Sequence, residues 1–587
     1  MRTLSLGVAL TALVTLVLEL ALTRVFDVIL MPNLAYMVIT CAVFAFGLAG
    51  LYTTIWPLRD RGRSGSALAR VSALFSIAAV ALLPALNLLP FDWDRLGDSL
   101  PSQAVAFLAM YLVLVIPFFL AGLVLTTAFS RHPRAIQTLY GWDLAGAAVG
   151  CVLLVPFLPR IGPGGILFLI AALGLVASAL FSPRRPWRIG VLAVAACMAA
   201  VPYFVPARAL DFREHIEKRG VEEAQRTGRI EFSRWDPISK IDVMPVREIV
   251  GHDADTALVS NLGWDVGYDG GQQHTQFFRF DGNFARLRSE LDRGAPGAVL
   301  QNFWQRGLLA SHYIKRDSGS HVLIIGSAGG QETKGALVYG ARRVDAVEMV
   351  GTVVELGTGP YSAAIGGIFH DPRVRVHVDE GRSFLRASHE QYDIIQMFSN
   401  YTTSSIANGS GAINPVYLLT EQAFEDYFSH LRPGGILQVN HVAYPRMLTT
   451  AALAWRQMGR SDFRRHVVVF EATDRVDYLP TVLIRMEPWT ATEVADLQRF
   501  FATDIPGEGL RRMVENPLDP AHSMLSDAFY SGVFPPGLAK HMTWRATPVT
   551  DDNPFFHFLR KRVAKMRADS TTFLSPSVAG ILNAELK

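Results

Sequence analysis

Residues 321–330, HVLIIGSAGG, form the stretch that decides the fold. Five residues suited to a buried strand are followed at once by a glycine-rich turn, 326–330, and then by a helical segment, 331–339. Glycine lets the backbone approach a ligand closely, and the first turn of the following helix offers free N–H groups. Strand, turn and helix in this order are typical of the first unit of a doubly wound α/β sheet.

The chain after residue 339 repeats the alternation of strand and helix. Helical segments separate the strand-like runs, and the four further runs are 344–349, 374–378, 392–397 and 436–439. Such alternation predicts a parallel sheet. We therefore expect an α/β Rossmann-like domain with a C-terminal extension at 321–587, preceded by a small β-rich subdomain at 207–320.

Two acidic residues follow neighbouring strands of the predicted sheet. Glu348 lies 22 residues after Gly326, where a carboxylate can accept hydrogen bonds from both hydroxyls of a ribose. Asp379 ends the next strand, where it could meet an adenine amino group. Because ligands of such sheets bind at the carboxyl ends of the strands, the glycine turn, Glu348 and Asp379 together predict a nucleoside site.

Several other classes of site are not indicated. The full G-x-G-x-x-G is absent, so NAD is less favoured, and G-x-x-x-x-G-K-[ST] is absent, so P-loop ATP hydrolysis is not supported. The charge pattern has no long basic patch and predicts no nucleic-acid binding. We expect no metal, because the histidines and the three cysteines lack ligand spacing; the cysteines are Cys41, Cys151 and Cys197.

The first third of the chain is almost free of charge. Residues 1–206 hold 13 Arg, no Lys and 7 acidic residues, although the whole chain has 55 basic and 52 acidic residues. A membrane span needs about 20 apolar residues. The sequence therefore predicts a multi-span transmembrane domain of about seven helices at 1–206, embedded in the lipid bilayer. The seven stretches that qualify are 4–23, 35–56, 71–90, 103–129, 137–158, 164–182 and 189–206.

Three ionisable residues, Glu19, Arg24 and Asp143, lie within or at the edge of these spans. Charge in lipid is costly, so such residues usually pair or line a cavity. One interpretation is a structural ion pair that fixes helix packing, and the other is a polar cavity for a substrate or headgroup. Small residues at 146–150 favour close contact between helices.

Taken together, these motifs resemble the membrane-fused spermidine synthase-like family, within the polyamine aminopropyltransferases and other S-adenosylmethionine-dependent transferases. The β-rich segment contributes Asp269-Gly270-Gly271-Gln272-Gln273, which is similar to the family's Asp-Gly-x-x-Gln. The other matching segments are 322–330, 347–348, 371–374, 379–381, 392–395 and 431–437 of the α/β domain, with Glu19, Arg24, 139–147 and 550–556 for the membrane-fused subgroup.

The resemblance implies a donor that is S-adenosylmethionine or its decarboxylated form, bound as a substrate. It implies a small-molecule acceptor, either a polyamine or a lipophilic molecule, and a homo-oligomer is possible. The residues that it assigns to the donor are Gly326, Ser327, Gly329, Gly330, Glu348, Asp379 and Glu380, and those that it assigns to the substrate are Tyr268 and Gln273.

Two departures from the family's pattern concern the reaction. The family's glycine loop carries an Asp that helps to fix the aminopropyl end of the donor, and here that position is Gly329. The family's Asp-x-x-Asp-Pro, which deprotonates the attacking amine, is replaced by QMFSNYT at 396–402. An amine with a pKa of about 10 must still lose a proton. The candidates for the base are Tyr401 and Asp269; alternatively, Tyr401 packs and Asp269 caps a turn.

Three functions therefore remain open from the sequence. The first is a membrane-bound transferase that moves an aminopropyl or alkyl group from an S-adenosylmethionine-type donor to an unknown acceptor. The second is a transporter or sensor that binds a nucleoside or polyamine without turnover. The third is a scaffold for partner proteins with a vestigial pocket.

The side of the membrane bears on all three functions. Arginines cluster in the loops after the second, fourth and sixth spans, which places these loops and the N-terminus in the cytoplasm. Seven spans then put residues 207–587 outside, although an S-adenosylmethionine-type donor is cytoplasmic. We expect a multi-pass protein of a bacterial-type inner membrane. If the last stretch, with Pro202 and Pro206, fails to cross, the α/β domain is cytoplasmic.

Overall fold

The chain from residue 321 to 440 folds into the predicted parallel sheet. The structure is a computed structural model, and it describes residues 1–30, 32–56, 66–92, 95, 99–215, 220–236, 238–246, 249–253, 256–259, 263–295, 297–399, 414–472, 479–502, 511–542 and 544–559. The strands are β1 Phe232–Trp235, β2 Lys240–Pro245, β3 Ile249–Asp253, β4 Thr256–Val259, β5 Trp264–Tyr268, β6 Gln273–Phe277, β7 His321–Ile325, β8 Arg343–Glu348, β9 Val374–Val378, β10 Tyr392–Phe398, β11 Leu431–Asn440, β12 Val467–Ala472, β13 Thr481–Arg485 and β14 Arg511–Glu515.

Long apolar helices make up the first third of the chain and shorter ones accompany the strands. The helices are α1 Arg2–Ile29, α2 Pro32–Ile55, α3 Ser66–Leu88, α4 Leu100–Arg131, α5 Ile136–Phe181, α6 Arg185–Phe204, α7 Val221–Arg226, α8 Phe284–Asp292, α9 Ala310–Ile314, α10 Gln331–Val338, α11 Gly351–Thr358, α12 Gly381–Ala387, α13 Glu421–Ser429, α14 Tyr444–Gln457, α15 Ala491–Ala502 and α16 Pro536–His541.

The large sheet has the order β14-β12-β13-β11-β10-β7-β8-β9. The five strands from β11 to β9 are parallel, with Ile325 of β7 opposite Val347 of β8 and Met397 of β10. The chain runs from β7 outward to β9 and then returns to β10 on the other side of β7. The strand order therefore switches between β7 and β10, which is where doubly wound sheets bind their ligands. The predicted fold class is confirmed.

The C-terminal extension continues this sheet with three antiparallel strands. Strand β13 pairs with β11, and β12 lies between β13 and β14. Buried aromatic and aliphatic side chains cover one face of the sheet, and the largest of them include Trp455, Tyr392, Tyr427 and Tyr444. The sequence predicts an extension after residue 440 but not these strands.

The chain divides into two compact units. The helical unit comprises Met1–Asp242 with Asp269–Gly271, and the α/β unit comprises Val243–Tyr268 with Gln272–Lys587. The domain boundaries predicted at 206 and 320 stay a prediction.

In the described part of the chain, six helices are long and apolar enough to cross a membrane. Helix α5 has 46 residues and would be about 69 Å long if straight, more than twice the hydrocarbon thickness. Its backbone leaves the helical conformation at Gly162, with φ 67° and ψ 171°. The two parts correspond to the spans predicted at 137–158 and 164–182, so the six helices provide seven apolar segments.

Helices α1 and α5 approach closely at two glycines. A Cβ atom at Gly146 would overlap the carbonyl oxygen of Ala9, and one at Gly150 would lie 2.9 Å from the carbonyl oxygen of Leu13. Only a residue without a side chain allows this contact. The packing role predicted for residues 146–150 is confirmed.

Arg24 forms its ion pairs with Asp27 and Asp269. Among the described residues no ion pair joins Arg24 to Glu19, so the interpretation of these two residues as an ion pair is wrong. Residues five apart lie about 140° apart around a helix, whereas residues three apart share a face. Asp27 therefore meets the guanidinium from within α1, and Asp269 meets it from a distant part of the chain.

Another cation of the helical unit, Lys240, is buried and lies among three carboxylates. Its ammonium nitrogen is 3.3 Å from Asp242, 3.4 Å from Asp211 and 3.7 Å from Glu214. Burial disfavours the charged amine, but the three negative charges outweigh burial and raise the pKa of Lys240. Lys240 is therefore a charged centre that stabilises the unit only together with its carboxylates.

Lys334 of the α/β unit is equally buried but has no acidic partner among the described residues. Its ammonium nitrogen lies 4.9–5.6 Å from the ring centroids of Phe278, Phe280 and Phe303. Burial lowers the pKa of Lys334 to about 7. Cation–π contacts compensate only part of the lost hydration, so this charge costs stability.

Because their surroundings differ, substitution of methionine for Lys240 and for Lys334 should change the free energy of unfolding in opposite directions. We expect Lys240→Met to lower the free energy of unfolding of the detergent-solubilised protein by about 3–5 kcal/mol, because it leaves three carboxylates buried and unneutralised. Lys334→Met should leave this free energy unchanged or raise it by about 1–3 kcal/mol.

Denaturant titration of both variants over pH 6–10 provides the measurement. Because the folded-state pKa of Lys334 lies below its unfolded value, the gain in Lys334→Met should be largest below pH 7 and shrink as the pH rises. Equal destabilisation by both substitutions would contradict this account.

Candidate active site

The glycine turn lies at the carboxyl end of β7, beside the switch in strand order. The backbone N–H groups of Gly326 and Ser327 both donate to the carbonyl of Val347 at 2.9 Å. Gly326 has φ 75°, and a Cβ atom there would face open space. The turn is therefore held against β8 and leaves room beside Gly326.

Glu348 is the last residue of β8, and its carboxylate faces this turn. One oxygen accepts a hydrogen bond from the N–H of Ala328 at 3.0 Å, and the other accepts one from the N–H of Val350 at 2.9 Å. Each carboxylate oxygen can accept more than one hydrogen bond. Glu348 therefore anchors the turn, and its contact with a ribose stays a prediction.

Two buried hydroxyl groups near the turn have no hydrogen-bond partner among the residues that the structure describes. They belong to Tyr268, which is 7% exposed, and to Ser327, which is 1% exposed. Burial raises the pKa of the Tyr268 hydroxyl, and the negative charges of Glu348 and Glu332 raise it further. Because buried polar groups are almost always hydrogen-bonded in a finished structure, both hydroxyls are available to a bound ligand.

Strand pairing brings Tyr268 and Gln273 together. They are opposite each other in the antiparallel β5–β6 hairpin. Gln273 is half-buried at the start of β6. The two residues assigned to the substrate thus share one end of a hairpin, and their contact with a substrate stays a prediction.

Glu332 is a buried acid that sequence reasoning missed. It is the second residue of α10 and is 7% exposed. Burial raises the pKa of Glu332 to about 7, and the charge of Glu348 acts in the same direction. An acid in a first helical turn is common because of the helix dipole, so its sequence position gives no signal of burial.

The position that carries an Asp in the resembled family has no room for a side chain here. A Cβ atom at Gly329 would overlap the carbonyl oxygen of Gln276 in β6, and the N–H of Gly329 donates to Thr275 Oγ1 at 3.1 Å. Gly330 is also closely packed, because a Cβ atom there would overlap Ile368. These two glycines position the turn rather than supply side chains.

Asp379 lies beside Glu348 at the edge of the sheet. Its N–H donates to the backbone carbonyl of Glu348 at 3.2 Å, and its exposed carboxylate accepts from the N–H of Glu380 at 2.8 Å. Glu380 caps α12, accepting from the N–H groups of Arg382 and Ser383 at 3.0 and 2.8 Å. Asp379 is free to meet a ligand from solvent, whereas the carboxylate of Glu380 is occupied by the helix.

Of the two candidates for the base, the structure describes only Asp269. Tyr401 lies outside the described residues. Asp269 belongs to the helical unit, where its carboxylate pairs with Arg24 and accepts the N–H of Lys240 at 2.9 Å. These partners favour the structural interpretation of Asp269, and its role as a base stays a prediction.

The described residues at the end of β10 include no side chain that could replace the family's base. Gln396 is buried, its amide donates to the carbonyl of Leu308 at 2.8 Å, and its amide oxygen lies 2.7 Å from His312 Nε2. Phe398 packs partly against the core of the sheet. Within the described ranges, no group of three or more His, Cys, Asp or Glu has an arrangement that could hold a metal ion.

Known proteins similar to this chain include two polyamine aminopropyltransferases. A polyamine aminopropyltransferase of Korarchaeum cryptofilum is 23% identical over 252 residues, 41% of this chain and 69% of the relative. Polyamine aminopropyltransferase 2 of Pseudomonas aeruginosa is 25% identical over 221 residues, 38% of this chain and 58% of the relative. No family model matches the chain.

Solved structures similar to this chain are spermidine synthases. The enzyme of Thermotoga maritima is 16% identical, covers 45% of this chain and 75% of its own, and has a TM-score of 0.29. A spermidine synthase in complex with the transition-state analogue AdoDATO covers 46% of this chain and 75% of its own, at 16% identity and a TM-score of 0.28. The sequence similarity to polyamine aminopropyltransferases agrees with the spermidine synthase-like resemblance of the sequence motifs.

The burial of Glu332 can be tested through the pH dependence of the free energy of unfolding. Its folded-state pKa of about 7 lies above the ordinary value of 4.5, so its favourable contribution is complete below pH 4.5 and is lost as the pH rises through 7. We expect Glu332→Gln to match the wild type in free energy of unfolding near pH 5 and to exceed it by about 1–3 kcal/mol at pH 8. A difference that does not change with pH would show that Glu332 is exposed.

Proposed function

We propose that this spermidine synthase-like chain is a membrane-attached transferase whose α/β unit binds an S-adenosylmethionine-type donor. The carboxylate of Glu348, facing the glycine turn at the switch in strand order, is the observation that carries the proposal. A carboxylate, whose two oxygens can each accept more than one hydrogen bond, suits the two hydroxyls of a ribose. The names of the similar proteins support an aminopropyl group as the group transferred and a polyamine as the acceptor.

Transfer of an aminopropyl group from a sulfonium donor to an amine places specific demands on the residues of the site. The nitrogen lone pair of a neutral amine attacks the carbon next to the sulfonium, the C–S bond breaks, and its electron pair converts the sulfonium into a neutral thioether. The amine proton leaves to a base or to water. The site must therefore hold the nucleoside, orient the carbon and stabilise the positive charge of the donor before transfer.

The second candidate is binding of the same nucleoside without turnover, as in a sensor or transporter. It is favoured by one observation: Gln396, where the family's base-bearing segment begins, has its side chain engaged with Leu308 and His312 inside the protein. Purified protein incubated with labelled decarboxylated S-adenosylmethionine and a polyamine distinguishes the two. Release of labelled thioether supports the transferase, and binding without release supports the sensor.

Replacing Glu348 tests the donor site directly. We expect Glu348→Gln to weaken the binding of 5′-methylthioadenosine and of decarboxylated S-adenosylmethionine by roughly 10–100-fold, because hydrogen bonds to a charged group are worth about 1.5–3 kcal/mol. Isothermal titration of the detergent-solubilised protein measures both affinities. Glu290→Gln on the surface of α8 is the control, and unchanged binding in Glu348→Gln would refute the nucleoside site.

The proposal also places the α/β unit in the cytoplasm, where the donor is made. It requires that α6, the shortest of the six apolar helices at 20 residues and largely exposed, or one part of α5 does not cross the bilayer. A C-terminal fluorescent protein fusion should fluoresce and a C-terminal alkaline phosphatase fusion should be inactive. The reverse pair of results would place the unit on the other side and exclude a cytoplasmic donor.

A further inference from the structure

Glu332 is a buried carboxylate without a cation beside it. It is 7% exposed, and in the part of the chain that the structure describes it forms no ion pair. The charge of Glu348, which has the same sign, acts on it and disfavours its ionised form. Two buried acids close together are unfavourable when both are charged, so either a proton or a cation must neutralise one of them.

The Tyr268 hydroxyl provides a second and independent observation at the same place. This hydroxyl is buried and has no hydrogen-bond partner in the described part of the chain, and the charges of both Glu332 and Glu348 act on it. The hydroxyl group of a tyrosine can donate a hydrogen bond to a bound ligand. The buried hydroxyl and the two buried acids together mark a ligand site rather than a chance cluster of acids.

The packing of the glycine turn leaves no space for an acidic side chain at position 329, whereas position 332 carries one. The resembled family places a carboxylate at the position of Gly329, but β6 fills that space in this chain. Glu332 comes three residues later, at the second position of α10, and the charges of Glu332 and Glu348 both act on the Tyr268 hydroxyl.

We infer that Glu332 binds the positively charged end of the donor, its sulfonium or its aminopropyl ammonium, in place of a carboxylate in the glycine turn. This inference rests on the proposed function, because it presupposes that the nucleoside part of the donor is held by Glu348. A cationic ligand would neutralise Glu332 and remove its repulsion with Glu348. A neutral nucleoside would leave Glu332 uncompensated.

The test compares a cationic with a neutral ligand of the same nucleoside. Decarboxylated S-adenosylmethionine carries both positive charges, and 5′-methylthioadenosine carries neither. We expect Glu332→Gln to weaken binding of the cationic donor by roughly 10–100-fold. Binding of 5′-methylthioadenosine should change by less than about twofold, because its contacts do not include Glu332.

A matched control removes another buried acid of the same unit. Glu515 is 1% exposed and accepts hydrogen bonds from Tyr530 and from the N–H of Leu525, on β14 at the far edge of the sheet. Glu515→Gln should leave both affinities unchanged. A general effect of removing a buried carboxylate would instead appear in both variants.

The possible outcomes separate this inference from the proposed function. If the wild type binds neither ligand, the proposed function fails. If the wild type binds both and Glu348→Gln weakens both, but Glu332→Gln changes neither or changes both equally, the nucleoside site stands and the role of Glu332 is overturned. Selective loss of the cationic donor in Glu332→Gln supports the inference.

Discussion

The hydrogen bond from the N–H of Ala328 to the carboxylate of Glu348 is the interaction on which the site depends. Ala328 has φ 43°, a left-handed conformation that costs a residue with a side chain about 1–2 kcal/mol. The carboxylate at the end of β8 compensates for that cost, and it joins the turn after β7 to the neighbouring strand. The residue suited to a ribose is therefore also the one that shapes the turn around it.

The parallel sheet could be predicted because buried parallel strands are short apolar runs, and helices separate them along the sequence. As far as the structure describes the chain, strands β12 and β13 follow each other without an α-helix between them, as antiparallel strands can, so the regular alternation of strand and helix that marks the parallel strands is broken there. The glycine turn and Glu348 were visible as spacing. Glu332 and the unpartnered Tyr268 hydroxyl were not, since burial and partners are set by tertiary packing. The pair of Arg24 with Asp269 joins residues 245 apart and has no sequence signal.

The helical unit contains more than apolar spans. Arg24 is half-buried and Lys240 is buried, and each pairs with carboxylates within that unit. Charges close to a membrane are stable only when paired in this way. Because Asp269 is one of these partners, the acid that the resemblance offers as a base is already engaged in holding the helical unit together. A base for the transfer is better sought elsewhere.

The arrangement around Glu332 bears on whether the pocket is vestigial. A side chain that only fills space at the start of α10 would be more stable as a neutral residue, because a buried acid next to Glu348 loses free energy at neutral pH. The same holds for the Tyr268 hydroxyl, which forfeits a hydrogen bond where it lies. A scaffold gains nothing from either cost. In a site that binds a cationic nucleoside, the ligand could neutralise the acid and accept the missing hydrogen bond. Both costs therefore favour a pocket that binds a ligand over a vestigial pocket.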